Sequence, residues 1–492
     1  MLTIFKIHKM KHIRVAILLM LVAFSATAGT KDPLRECWNK QTKPLGHSYL
    51  NFNYEEKLNE LYHSAEPWEQ HHYTGGGTIW CNAILFLKQD SINSGRRTYY
   101  SKTRMDKKEL LFLDYGNKDQ SSITKSMIQN KLIETARYTP ITLLEYFVNH
   151  KSIPDKESNT EFSVYKTTIN KTVTRLYIRN ADKQVEKITT LENDDLRGDV
   201  LSTFYYRDYT SAGSLPYPKT ILIEKFNGRI KDEVHILNAS ITITAPAVLE
   251  KPADYKIGDD KIVKQELKTT KYSEHIYFVD LMPTGSRVMV VEFSDFLLVS
   301  EAPLNSENGE MIISEVQKIA PGKQIRYFTF SHHHPDYIGG IRPFIHKGAT
   351  ILSVKEDNDY INFLANAPHT IVPDSLQLQP RALKWETITD STIISDGRYN
   401  MNIYHIGRKS GHTADYLVFY FPQEKLLVEG DLIWIKDEGA IEKASEMQAG
   451  VYQAIKDLHL DVKTIVQSWG IAFKGYKFII PFEDLEKSVN VK

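Results

Sequence analysis

The chain has 492 residues, of which 42% are hydrophobic and 25% charged, the proportions of a globular protein long enough for two or three domains with cores of their own. Lysine plus arginine and aspartate plus glutamate balance at 61 each, which leaves no net field to gather nucleic acid or an anionic membrane surface. There are only two cysteines, Cys37 and Cys81, too few for a thiolate zinc ribbon or a disulfide-dense scaffold.

Residues 1–28 read as a secretory signal peptide: a basic stretch from Lys6 to Arg14, an apolar run from Val15 to Phe24, and Ala26-Thr27-Ala28 as a small-residue cleavage site. The apolar run falls well short of the roughly 20 residues that span a bilayer. The expectation is therefore export to a periplasm or the cell exterior. Cys37 and Cys81 could pair there or remain separate, because spacing alone does not supply the Cα separation.

Residues 29–262 are expected to form an N-terminal α+β domain. His71-His72 stands beside Gly75 to Gly77 and reads as a solvated pair in a glycine-rich loop, with no acidic or thiol partner at ligand spacing. The region before Phe162 reads as more helical, including Pro140 to His150, where Pro140 suits a first helical turn. From Phe162 to Ala245 Tyr, Thr, Ile and Val recur at period two, broken at Ser211 to Gly213 and at Asn227-Gly228. This is the pattern of an antiparallel β-meander. No catalytic constellation is visible in this half. Between Leu249 and Glu274 charge rises and apolar content drops, the mark of a boundary. Residues 263–492 then alternate strand-like runs (SRVMVVEF, FLLVSE, IRYFTF, TILSV, DYLVFYFP, KLLVEGD) with helix-compatible stretches, which predicts a layered α/β domain.

In the second half the segment SHHHPDYIGG, Ser331 to Gly340, follows a strand. In extended chain His332, His334 and Asp336 share one side. Two imidazoles and a carboxylate at a strand end, before a Gly339-Gly340 turn, make a nitrogen and oxygen site suited to zinc. His333 points the other way, toward a supporting or surface role. His412 in a glycine-bearing turn and Asp431 at the end of KLLVEGD are further potential ligands at strand edges. His346, His369 and His405 carry no assigned role.

These motifs resemble the metallo-β-lactamase fold superfamily from about Tyr277 to Trp469. The resemblance implies an αββα sandwich in which His332, His334 and His412 hold a first zinc, Asp336 ligates a second metal and Asp431 bridges the two. Two positions depart from the family pattern: Tyr337 stands where the motif's last histidine is expected, and Trp469 where the final histidine is. Both affect the second metal, so one tightly held zinc is expected, with Tyr337 as a reluctant possible ligand because a phenol pKa lies near 10. The implied activity is a zinc-dependent hydrolase. Metal-bound hydroxide would attack an ester, thioester, lactone or β-lactam carbonyl of a small molecule, with Asp336 as base or orienter. The alternative is a non-catalytic, metal-binding envelope protein with a degenerate metallo-β-lactamase domain.

Overall fold

The computed structural model describes residues 32–491, apart from 62, 115–120, 245, 247, 262 and 263. The segment expected to be a signal peptide, residues 1–28, lies outside the described residues, as do the two residues at the expected boundary. No helix among the described residues is long and apolar enough to cross a membrane.

The N-terminal half is β-rich and antiparallel. Two meanders, five strands between Tyr49 and Asp114 and seven between Ile153 and Thr242, merge into one 12-stranded sheet where Tyr49–Glu60 pairs with Ile230–Thr242. The helices Pro33–Gln41 and Ile141–Asn149 pack on one face of it through Leu34, Cys37, Leu143, Leu144 and Phe147. The second meander and the helix after Pro140 fall where the sequence pattern puts them. The first meander occupies a region expected to be more helical. Its leading strand, Tyr49–Glu60, buries Leu50, Phe52, Tyr54 and Leu58 on one face, but Glu56 shares that face and breaks the apolar alternation. Arg137 makes the burial tolerable by donating to Glu56 at 2.9 Å and to Asp232 at 2.7 Å.

The glycine-rich loop expected around His71-His72 is instead the strand His71–Cys81. Neighbouring strands approach so closely that a Cβ on Gly77 would lie 2.1 Å from the Gln89 carbonyl, so here glycine permits tight pairing and does not mark a turn. Cys37 and Cys81 are separate buried thiols.

The strand Lys256–Gly258 still pairs with the N-terminal half, whereas Glu266–Lys271 opens the next sheet. From there the C-terminal half is an αββα sandwich. A seven-stranded sheet and a six-stranded sheet face each other across a core of Phe278, Met289, Val291, Leu298, Met401, Phe419, Phe421 and Val428. The helices Ser306–Ile319, Ile341–Lys347 and Asn358–Asn366 cover the outer face of the first sheet, and Glu446–Asp457 and Phe482–Asn490 that of the second. Strands such as Phe296–Ser300 and Leu417–Phe421 are buried along their whole length, which is why they read as continuous apolar runs.

The two halves are docked. Trp68, from the segment between the first two N-terminal strands, packs edge-on against Tyr360 and Phe363 with ring centroids 5.1 and 4.9 Å away, and the Arg229 guanidinium covers it at 4.2 Å. Farther along, the Asp199 carboxylate accepts from the Thr370 and Ile371 amides at 2.9 and 3.1 Å.

Candidate metal centre

The strand Gln324–Thr329 ends at the edge of the first sheet, and Phe330 to His334 continue as irregular chain into the short helix Pro335–Ile338. Alternation therefore aligns His332 with His334 but stops there. Pro335, with its φ pre-set for a first helical turn, starts a helix and carries Asp336 on that turn. Gly339 and Gly340 keep negative φ values of −55° and −93°. They are needed for closeness and not for a left-handed turn: a Cβ on Gly339 would lie 2.3 Å from the Leu304 backbone.

His412 comes from the opposite sheet. It follows the 3-10 turn Gly407–Ser410, whose Ser410 hydroxyl accepts from the His412 and Thr413 amides at 3.1 and 3.3 Å. Asp431 lies just beyond the strand Leu426–Glu429, and Trp469 just beyond Thr464–Gln467. The site thus gathers at the ends of strands from both sheets.

His332, His334 and His412 each direct one ring nitrogen into a common space, all within 4.8 Å of one another. His332 Nε2 lies 3.0 Å from His334 Nδ1. His334 Nε2 lies 3.0 Å from the Ser64 carbonyl, to which it donates, leaving Nδ1 as the lone-pair atom. His412 Nε2 has no hydrogen-bond partner among the described residues and stands 3.4 Å from Asp431 Oδ2. Burial, with the mutual repulsion of the neighbouring rings, pushes the His332 imidazole well below its usual range and that of His334 down to about 3. They are held neutral, the form that binds metal. Two nitrogens on one tetrahedral zinc at 2.0–2.1 Å would be about 3.3 Å apart, so the donor set fits a divalent ion.

Asp336 and Asp431 lie beside this group. Burial raises the Asp336 carboxyl and Asp431 adds to the rise, while the nearby His63 and the Trp469 indole oppose it. The Tyr337 ring packs 4.1 Å from His332, and its buried hydroxyl has no hydrogen-bond partner among the described residues. Burial and then the charge of Asp431 push that phenol well above 10. Tyr337 is also part of the apolar core beneath the first sheet. Removing a hydroxyl that has no partner is close to neutral for stability. Tyr337→Phe is therefore expected to keep its metal content and its turnover within about twofold, whereas loss of an oxyanion donor would cost about a hundredfold; elemental analysis and initial rates check this.

His333 faces away and is buried, donating from its backbone N and Nδ1 to Asp415 at 2.7 and 3.1 Å. Asp357 completes a second, wholly buried His333, Asp357 and Asp415 group. Burial and then the charge of Asp415 raise the Asp357 carboxyl well above its usual range, so the group reads as a proton-sharing support under the histidine loop. His346 and His369 are remote from the centre's donors, while His405 is held between the Thr389 and Ala414 carbonyls.

Sequence reasoning missed the contribution of the N-terminal half. Ser64 O touches His334, Ala65 O accepts from the Ala414 amide at 2.7 Å, and the His63 ring stands edge-on 5.1 Å from His334. A cavity of about 440 Å³ at this junction is lined by His63, Trp68, Arg197, Phe226, His334 and Asp336 among others. No local pattern in "YHSAEPW" signals this, since the segment meets the centre some 270 positions away.

The fold is thus an αββα sandwich of two sheets that carries a three-histidine candidate metal group at its strand edges. Residues 300–469 match the family model of the metallo-beta-lactamase superfamily. A curated relative, the type 2 metallo-beta-lactamase of Elizabethkingia meningoseptica, is 25% identical over 174 residues, which is 34% of this chain and 63% of the relative. The chain thus spans under two thirds of that relative's length. Among solved structures, a metallo-beta-lactamase from Pontibacter korlensis is 17% identical, with 46% of this chain and 97% of that chain covered at a TM-score of 0.33. Rubredoxin oxygen:oxidoreductase from Desulfovibrio gigas is 14% identical, with 45% and 61% covered at a TM-score of 0.33. The names of these relatives include both β-lactamases and an oxidoreductase.

Proposed function

We propose that the protein is an exported, zinc-dependent hydrolase acting on a carbonyl of a small molecule, with one tightly held metal. The observation that carries this reading is the convergence of three imidazole nitrogens, one of them from His334 in the cavity wall, with two of the rings held neutral and His412 Nε2 without a hydrogen bond among the described residues. Three imidazoles without a thiolate suit zinc. His332, His334 and His412 would hold it, and when bound it supplies Lewis acidity toward a carbonyl and lowers the pKa of a water ligand to about 7.

The remaining work falls to the chain's own groups. Asp336 is the candidate to take up a proton at its carboxylate, and its raised pKa brings it closer to the working range of a general base. Asp431 stands beside His412 as a further metal-facing carboxylate. Trp68 and Phe226 give the cavity apolar walls, which suit a small organic substrate. The even balance of charge disfavours nucleic acid as a substrate.

The test is turnover of an ester, thioester, lactone and β-lactam panel by the zinc-loaded full-length chain, with and without a chelator. Chelator-sensitive turnover of one class is expected. Tight zinc binding without turnover of any class would favour the metal-binding scaffold instead.

A further inference from the structure

The cavity that His334 and Asp336 line is walled on its other side by the N-terminal half, and Arg197 is the cation set in that wall. Arg197 sits in the turn between the strands Val185–Asp194 and Gly198–Ala212, and the turn is fixed on both sides of it. Leu196 is buried in the apolar core of the C-terminal half, and a Cβ added to Gly198 would meet the Pro368 carbonyl at 2.3 Å. The guanidinium lies over the Phe226 ring at 4.9 Å. Its side chain is 14% exposed, its Nη1 meets Asp194 Oδ2 only at 3.4 Å, and the Tyr360 phenol lies beside it. Arg197 Nε is buried and has no hydrogen-bond partner among the described residues, and the same holds for Nε1 of Trp68, which lines the same cavity.

A buried donor without an acceptor is costly, and native chains keep one where an acceptor arrives from outside the chain. Lys225, which also lines the cavity, is already committed to Asp232 at 2.7 Å and to the Asn59 carbonyl at 2.8 Å. The spare capacity is therefore that of Arg197, whose Nε is one arm of the fork with which a guanidinium takes a carboxylate. Glu60, the lining acid on this side, is exposed and screened by solvent. Arg197 and Trp68 both lie outside residues 300–469, the part of the chain that matches the family model, so this wall is an addition made by the N-terminal half. We infer that the cavity is a subsite for a carboxylate carried by the substrate in addition to its reacting carbonyl, held by Arg197 with the Trp68 indole as a second donor. The inference rests on the hydrolase reading and adds to it the substrate class, a carbonyl compound that bears an acid group.

The test compares phenylacetate with its neutral isostere phenylacetamide, titrated into the zinc-loaded full-length chain and followed by ligand-observed NMR. The wild type should bind the carboxylate at least about tenfold more tightly, the scale of one charge-assisted hydrogen bond. Arg197→Gln should bring the two probes within about twofold of each other while leaving zinc content and phenylacetamide binding unchanged. Arg197→Lys keeps the charge on the docked turn but loses the fork, so its preference should shrink by about threefold or more; it decides the matter if the glutamine variant does not fold. No preference in the wild type would overturn the inference. So would a preference that survives both substitutions, which would place the carboxylate on the zinc, or an equal weakening of both probes, which would make Arg197 a docking residue only. A preference lost in Arg197→Gln, in a wild type that turns over no ester, thioester, lactone or β-lactam, would instead overturn the hydrolase reading and leave a carboxylate-binding cavity.

Discussion

His412→Ala is expected to abolish tight metal binding, with apparent zinc affinity falling by more than about a hundredfold, beyond the 10- to 100-fold typical of losing only a supporting partner. Turnover of any substrate the wild type accepts should drop by roughly a thousandfold or more, since a remnant of two imidazoles no longer fixes the reacting geometry. The variant should fold normally. The turn before His412 is held by the Ser410 hydroxyl and the backbone amides, and the imidazole is half-buried, its Nε2 facing only the partly exposed Asp431 carboxylate at 3.4 Å. A change of less than about 1 kcal/mol in stability is therefore expected. His346→Ala, on an exposed helix end, is the control and should keep both metal and activity. Full zinc occupancy in His412→Ala would sink the ligand assignment.

The parts of this site that the sequence discloses are those fixed by local chain geometry. His332 and His334 alternate at the end of an apolar strand, and His412 and Asp431 each follow or precede a run buried on both faces, so their places at strand edges can be read from the pattern. Asp336 shows where that reading fails. Pro335 begins a helix, and the period changes from 2 to 3.6 within a single residue. The glycines at 75–77 look like a loop because nothing in the sequence announces the Gln89 strand that presses against Gly77. The leading strand of the N-terminal sheet is masked in the same way: its buried Glu56 makes sense only with Arg137 and Asp232, which arrive from distant segments. His63 and Ser64 belong with these non-local cases. Their importance lies in docking between halves, which hydrophobic period and turn chemistry do not encode.

That docking depends on a buried ion pair whose removal should have the largest effect on stability. Arg342, on the helix that follows the histidine loop, is 2% exposed. It donates to Asp374 through Nε at 2.6 Å and through Nη2 at 3.1 Å, and through Nη1 to the Leu364, Ala365 and Ala367 carbonyls at 2.7, 3.0 and 3.2 Å. It thus closes the end of the helix Asn358–Asn366 and anchors the chain just before Thr370 and Ile371, which meet Asp199 of the N-terminal half. Arg342→Ala would leave three carbonyls and a carboxylate without their cation, and breaking one side of a buried pair costs about 3–5 kcal/mol. Arg342→Lys should recover only part of this, because a single ammonium cannot span both the carboxylate and the carbonyls.

The same pair sets the response to acid. Burial alone would raise the Asp374 carboxyl, but the Arg342 guanidinium, the Gln377 amide and the Ser306 hydroxyl outweigh it and hold the group down at about 2. A carboxyl depressed in the folded state stabilises it above its unfolded pKa, here near 3.8, and that contribution is lost as the pH falls toward 2. The difference between 3.8 and about 2 corresponds to about 2 kcal/mol. Denaturant midpoints measured from pH 6 down to pH 2 should therefore fall less steeply below pH 4 in Arg342→Ala than in the wild type, on top of the constant loss at neutral pH. A neutral-pH loss under about 1 kcal/mol, or an unchanged acid slope, would show that the carbonyls and Asp374 find other partners and that the pair is not what fixes this segment.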